Sequence, residues 1–248
     1  MEFNRRDFLK AAGLGTASLI AQRWLEGAYA GPGEQPVRTE AKPNIVFIIV
    51  DDMGYCDLGC YGSRTIKTHN IDRMAEEGMR FTNAYSGATV CAPARSCLMT
   101  GYHMGHTSVR GNSGGIPLLD SDLTVAEVLK KAGYVTGGFG KWGLGEVGTA
   151  GVPEKQGFDV FFGYYHQVHA HYYYTPYLWR NSKRVPLPGN QSDKKTQYSH
   201  NDIFRETIRF IRQNKDRPFF CYAPWTPPHG RYEFPEDDPT WQMYKDKA

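Results

Sequence analysis

The chain has 248 residues, with 29 basic and 26 acidic side chains, a formal net charge of +3 and 40% hydrophobic residues. That balance excludes a polybasic nucleic-acid or membrane-surface binder, and the length suffices for one domain with a substantial core. The five cysteines (Cys56, Cys60, Cys91, Cys97 and Cys221) are an odd number, so at least one is unpaired. Spacing does not decide whether Cys56 and Cys60 bridge or stay reduced.

Residues 1–30 read as a targeting segment. Arg5-Arg6-Asp7-Phe8-Leu9-Lys10 is a basic start, Ala11 to Ala21 is a short apolar stretch, and Ala28-Tyr29-Ala30 is a small-x-small cleavage site. The paired arginines followed by Phe-Leu-Lys resemble a twin-arginine signal, which implies the twin-arginine export machinery as a partner and a periplasmic or secreted product. The apolar run is too short to span a bilayer and no other stretch approaches that length, so stable membrane insertion is not expected. Residues 31–42 read as a Pro/Gly/charged linker, and residues 43–248 as the domain that follows it.

Asn44 to Val50 is apolar without alternation and predicts a central strand buried on both faces. It ends in Asp51-Asp52, adjacent carboxylates that repel one another unless a cation neutralises them, at the strand end where ligand crevices open in α/β sheets. A solvated turn with Gly54 is the alternative. Ile71, Met74 and Ala75 form the inward face of a short helix stopped at Gly78, and Phe81 to Tyr85 reads as a strand.

Cys91-Ala92-Pro93-Ala94-Arg95-Ser96-Cys97-Leu98-Met99-Thr100-Gly101 reads as a helix, with Pro93 tolerated in its first turn and Gly101 as its stop. Cys91 then sits where free N–H groups favour anionic chemistry, and Arg95, four residues on, shares its face. A structural Cys beside a solvated Arg has the same spacing.

Leu123 to Ala132 is a helix capped by Ser121 or Asp122 and ended by Gly133. Tyr134 to Phe139 is a strand followed by Gly140-Lys141-Trp142-Gly143-Leu144-Gly145, where Lys141 is either a point charge aimed at an oxyanion or a surface Lys in a glycine turn. Asp159 to Trp179 is dense in aromatics and holds His166, His169 and His171, a composition suited to a sugar or aryl site or to packing of a loop on the sheet. Asn201 to Asn214 is a helix with Ile203, Phe204, Ile208 and Ile211 on one face, and Pro218 to Ala223 is a strand leading to Pro228-His229. Alternating helices and apolar strands predict an α/β fold with a mixed, largely parallel sheet covered on both faces.

Cys91-x-Pro93-Ala94-Arg95 with Thr100-Gly101 resembles the sulfatase maturation motif, in which the Cys is oxidised to Cα-formylglycine. Asp51-Asp52-Met53-Gly54 resembles the family's first metal motif, and Pro228-His229 its substrate-site His. Gly140 to Gly145 is similar to its Gly-Lys-Trp-His-Leu-Gly segment, except that Gly143 stands where a His is usual.

The resemblance implies an alkaline-phosphatase-like fold and hydrolysis of sulfate esters, either aryl or carbohydrate, after a formylglycine-generating enzyme has acted on Cys91. It implies Ca²⁺, with Mg²⁺ as the alternative ion, held by Asp51, Asp52 and residue 91. Arg95 and Lys141 would stabilise charged oxygens, and His229 would bind sulfate and protonate the leaving group. His169 or His171 would stand in for the missing His. The family's remaining Asp-Asn ligand pair and a further Lys lie beyond the equivalent of His229 and have no counterpart here, so the chain reads as an N-terminal portion truncated before the C-terminal part. An inactive remnant and a related phosphoesterase are the alternatives; the second places Ser or Thr where Cys91 stands.

Overall fold

A computed structural model describes residues 42–247. The targeting segment at 1–30 and the linker at 31–42, apart from Lys42, lie outside the described residues.

Six strands form one sheet: β1 (Ile45–Val50), β2 (Val135–Lys141), β3 (Val160–Tyr164), β4 (Tyr177–Arg180), β5 (Lys183–Pro186) and β6 (Phe219–Trp225), in the order β1-β6-β2-β3-β4-β5. The first four strands in that order run parallel, and β4 and β5 add antiparallel at the far side. The helices are α1 (His69–Glu77), α2 (Cys91–Thr100), α3 (Val125–Lys131), α4 (Ser199–Asn214) and α5 (Pro239–Tyr244). The mixed, largely parallel sheet with helices on both faces is as the sequence predicts.

Strand β6 shows why the sheet is layered. Phe220 and Tyr222 enter a cluster with Ala92 and Met99 of α2, Ala126 of α3, and Trp142 and Phe158. The alternate residues Phe219 and Cys221 enter a second cluster with Phe139, Phe162, and Ile203 and Phe210 of α4. Neighbouring strand residues point to opposite faces, so one strand serves both clusters. Each fully buried aromatic contributes roughly 1.5–3 kcal/mol.

Several local expectations change. β1 is an edge strand among the described residues, not a central one: β6 is its partner, and Val46, Phe47 and Ile48 are 40–48% exposed. Only one side of β1 is paired, so its unbroken apolar run marked a strand but not its place in the sheet. Ile71 and Met74 of α1 are exposed rather than inward, and residues 81–85 form no strand. In α4 the buried face is Ile203, Thr207, Phe210 and Asn214, while Phe204 is exposed; these residues recur at steps of four, three and four, the helical period. Helix α3 is capped by Thr124 rather than Ser121 or Asp122. Its Oγ1 accepts from the Glu127 amide while Glu127 returns to the Thr124 amide at 2.8 Å, a reciprocal box.

Gly140 is required by close packing. Its φ is +141°, and a Cβ there would lie 2.1 Å from the Pro224 carbonyl oxygen of β6. This close approach lets the end of β2 lie against β6 beside the site.

Candidate active site

Because β1, β6 and β2 are adjacent and parallel, their carboxyl ends open on one edge of the sheet. The Asp51 amide continues the ladder by donating to the Trp225 carbonyl at 3.1 Å, and Asp52 turns the chain away at φ 61°. Lys141 is the last residue of β2, and His229 follows four residues after β6 ends. Cys91 comes to this edge as the first residue of α2. Gly101, with φ 71°, closes that helix by donating its amide to Cys97.

Asp51 is the hub. Its Oδ2 accepts from Lys141 Nζ at 2.6 Å and lies 3.4 Å from Arg95 Nη2, while the Cys91 thiol faces Oδ1 at 3.5 Å. Arg95 Nη1 also donates to the Lys141 carbonyl at 2.7 Å. Both cations are buried, and so is Asp51. Burial alone would raise the Asp51 carboxyl, but Arg95 and Lys141 outweigh it and hold the group below the usual carboxylate range. Burial, reinforced by Asp51 and opposed by Lys141, pushes the Cys91 thiol up. A neutral thiol is a poor nucleophile, so this site does not activate Cys91 as a thiolate.

The end of α2 differs from the expected array of open amides. The Ala92 amide donates to Asn112 Oδ1 at 3.0 Å, Pro93 has no donor, and the Ala94 amide bonds to the Val90 carbonyl at 3.1 Å. The Asn112 side chain thus takes the Ala92 donor that spacing alone left free.

The two histidines left open by the sequence separate in space. His171 Nε2 lies 3.3 Å from Lys141 Nζ, and its ring stacks on His229 at 4.1 Å. Burial, with Lys141 and His229 beside it, lowers His171 to about 4, so its ring is neutral near pH 7 and accepts from the lysine. His169 instead contacts Thr175 Oγ1 at 2.6 Å and packs against Tyr164 and Tyr177, away from Asp51. His229 Nε2 lies 3.4 Å from Asp52 Oδ2, and its Nδ1 has no partner among the described residues.

Sequence reasoning missed Asn112 and Gln167. Gln167 Nε2 donates to Asn112 Oδ1, and a Cβ on Gly143 would lie 3.5 Å from Gln167 Oε1. The side chain facing the position of the usual His is therefore an amide whose oxygen is buried without a partner among the described residues. Gln167 sits inside the aromatic-His tract, which was a signal for the region but not for this residue.

Donor atoms of Asp51, Cys91 and His229 all lie within 4.8 Å of one another, with the Asp52 carboxylate next to His229. The sequence model of the Sulfatase family matches residues 43–247. The chain belongs to the sulfatase family. Among curated relatives, human arylsulfatase G is 46% identical over 127 residues, covering 49% of this chain and 24% of its own length. Human N-acetylgalactosamine-6-sulfatase is 35% identical over 207 residues, 73% of this chain and 38% of the relative. Among solved structures, Ps i-CgsB in complex with k-i-k-neocarrahexaose superposes with a TM-score of 0.70 at 30% identity, covering 84% of this chain and 49% of that one. BT4656 in complex with its substrate D-glucosamine-2-N,6-O-disulfate gives 0.63 at 30% identity, covering 76% and 35%. This sulfatase-family chain thus spans at most about half the length of these relatives.

Proposed function

We propose that this chain carries the nucleophile half of a sulfatase site and that the protein hydrolyses sulfate monoesters. The observation that carries the reading is the convergence of Cys91, Asp51, Arg95 and Lys141 at one strand edge within the family match. Two buried cations against one buried carboxylate suit an incoming sulfate. Lys141 and Arg95 orient and neutralise its oxygens. His229, beside Asp52 through Nε2, would bind sulfate and protonate the leaving ester oxygen. His171 keeps Lys141 in place through its neutral Nε2 and takes the role the family gives to the residue replaced by Gly143.

Cys91 would be converted to formylglycine, which when formed supplies a hydroxyl nucleophile in place of the thiol. Asp51, Asp52 and residue 91 would hold Ca²⁺, or Mg²⁺, which when bound polarises sulfate. The donor chemistry fits because hard cations prefer carboxylate and hydroxyl oxygen. The number of donors is small, since Ca²⁺ takes roughly six to eight oxygens. That count favours a second reading for the chain as it stands, a sulfate-binding piece with weak metal affinity and little turnover. The targeting segment adds a proposed periplasmic or secreted location through twin-arginine export, and the relatives bound to sugars support a sulfated glycan or a small aryl sulfate as substrate.

The test is mass spectrometry of the Cys91 peptide after co-expression with a formylglycine-generating enzyme, beside an aryl-sulfate assay. We expect a peptide in which the β-carbon of residue 91 has been oxidised to an aldehyde, oxygen replacing sulfur with the loss of two further hydrogens, and sulfate release that Cys91→Ala abolishes. An unmodified peptide together with phosphate-ester hydrolysis would establish the related phosphoesterase instead.

A further inference from the structure

Beyond the Asp51–Cys91–Lys141 site lies a cleft of about 730 Å³, within the roughly 300–1,000 Å³ typical of small-ligand sites. It is walled by Tyr174, Tyr198, Tyr232, Phe234 and Trp241. Tyr198 is the pivot: its ring lies 5.6 Å from those of Tyr173 and Tyr174 and 5.9 Å from Phe234. It is 7% exposed, and its hydroxyl has no partner among the described residues. On the open side Tyr232 is 83% exposed and Trp241 40%.

Two links tie the walls of the cleft to the site, the first through Tyr173, whose ring packs on Tyr198. The Tyr173 hydroxyl donates to the His229 carbonyl, and Tyr232 comes three residues after His229. Its charge is opposite to what a polyanion would need. Lys195 is paired with Glu233, and Glu236 and Asp237 add two further carboxylates that make no ion pair among the described residues. The Asp51 site has buried cations for one sulfate, whereas the cleft beside it repels a second.

Flat aromatic faces with hydroxyl, amide and carboxylate groups between them suit a ring that is apolar on its C–H faces and hydroxylated at its rim. We propose that this cleft binds an uncharged sugar unit adjoining the sulfated one, so that the substrate is a sparsely sulfated glycan rather than a polysulfated or uronate-rich chain. The inference rests on the sulfatase reading for what lies next door, and on the cleft's own residues for the rest.

Isothermal calorimetry on the full chain, with inorganic sulfate saturating the Asp51 site, tests it. The probes are neutral hexasaccharides of β-linked galactose, glucose and N-acetylglucosamine, and one polysulfated hexasaccharide. At least one neutral probe should bind, its affinity should fall tenfold or more in Trp241→Ala and in Tyr232→Ala, and the polysulfated probe should bind at least tenfold more weakly. Inorganic sulfate should bind both variants as it binds the wild type. Absence of binding by every neutral probe, indifference to both substitutions, or equal affinity for the polysulfated probe would each overturn the proposal. Sulfate binding retained without sugar binding sinks this inference alone. Loss of sulfate binding in the wild type sinks the sulfatase reading, and with it the cleft's role beside a sulfated unit.

Discussion

Lys141 shows how one residue can be both structural and functional. Its ammonium is fully buried, 2.6 Å from the Asp51 carboxylate and 3.3 Å from His171, and its carbonyl accepts from Arg95. Removing one partner of a buried ion pair leaves the other charge uncompensated, at a typical cost of about 3–5 kcal/mol. Arg95 lies 3.4 Å from the same carboxylate oxygen and covers part of that loss. We therefore expect Lys141→Met to destabilise the chain by about 3 kcal/mol and to weaken inorganic sulfate binding, measured by urea denaturation and calorimetry. Unchanged stability would mean that Asp51 is solvated rather than buried.

The elements deliver such residues through their ends, so their caps matter. Thr124 accepts from the Glu127 amide and donates to the buried Gln156 carbonyl at 2.8 Å, tying α3 to the turn before β3. Thr124→Ala should cost about 1–2 kcal/mol, read as a lowered denaturation midpoint with an unchanged slope, and Thr124→Ser should recover most of it. Strand β1 carries a different liability. Its outer edge has no partner among the described residues, and Val46 and Ile48 are 46% and 48% exposed. An exposed apolar edge is a template for further strands. We expect concentration-dependent self-association of the chain in light scattering, reduced by Ile48→Lys, which puts a charge on that edge.

For the molecule as a whole, acid sensitivity follows from histidines buried in neutral form. Burial lowers both His169 and His200 to about 4, away from the site in the first case and against Trp225 in the second. Between that value and the ordinary 6.5, the unfolded chain binds protons that the folded chain refuses, so stability is lost as pH falls through the window. The ceiling is about 1.4 kcal/mol per pH unit for each imidazole, lowered by their partial exposure. Thermal denaturation at pH 7 and pH 5 should show a clear drop, and His200→Phe should lessen it by its own share, with His169 and the similarly lowered His171 keeping the rest. An equal drop in that variant would assign the acid sensitivity elsewhere.

The sequence by itself determined what is local and chemical. The helix from Cys91 to Gly101 follows from Pro93 and a glycine stop, the strands before Asp51, Lys141 and His229 from their apolar runs, and the family from motifs in order. Local pattern also carried the layered α/β class, because apolar strands alternating with helices have few ways to bury both faces. Only the tertiary structure decided which strands are neighbours, and therefore that β1 stands at an edge and that His171 rather than His169 reaches Lys141. It likewise decided that Asn112 fills the helix end and that Gln167 faces Gly143. Those outcomes depend on contacts between residues 20 to 175 positions apart, and such distances in sequence leave no periodic trace; a side chain's partner there is chosen by the packing of the whole sheet.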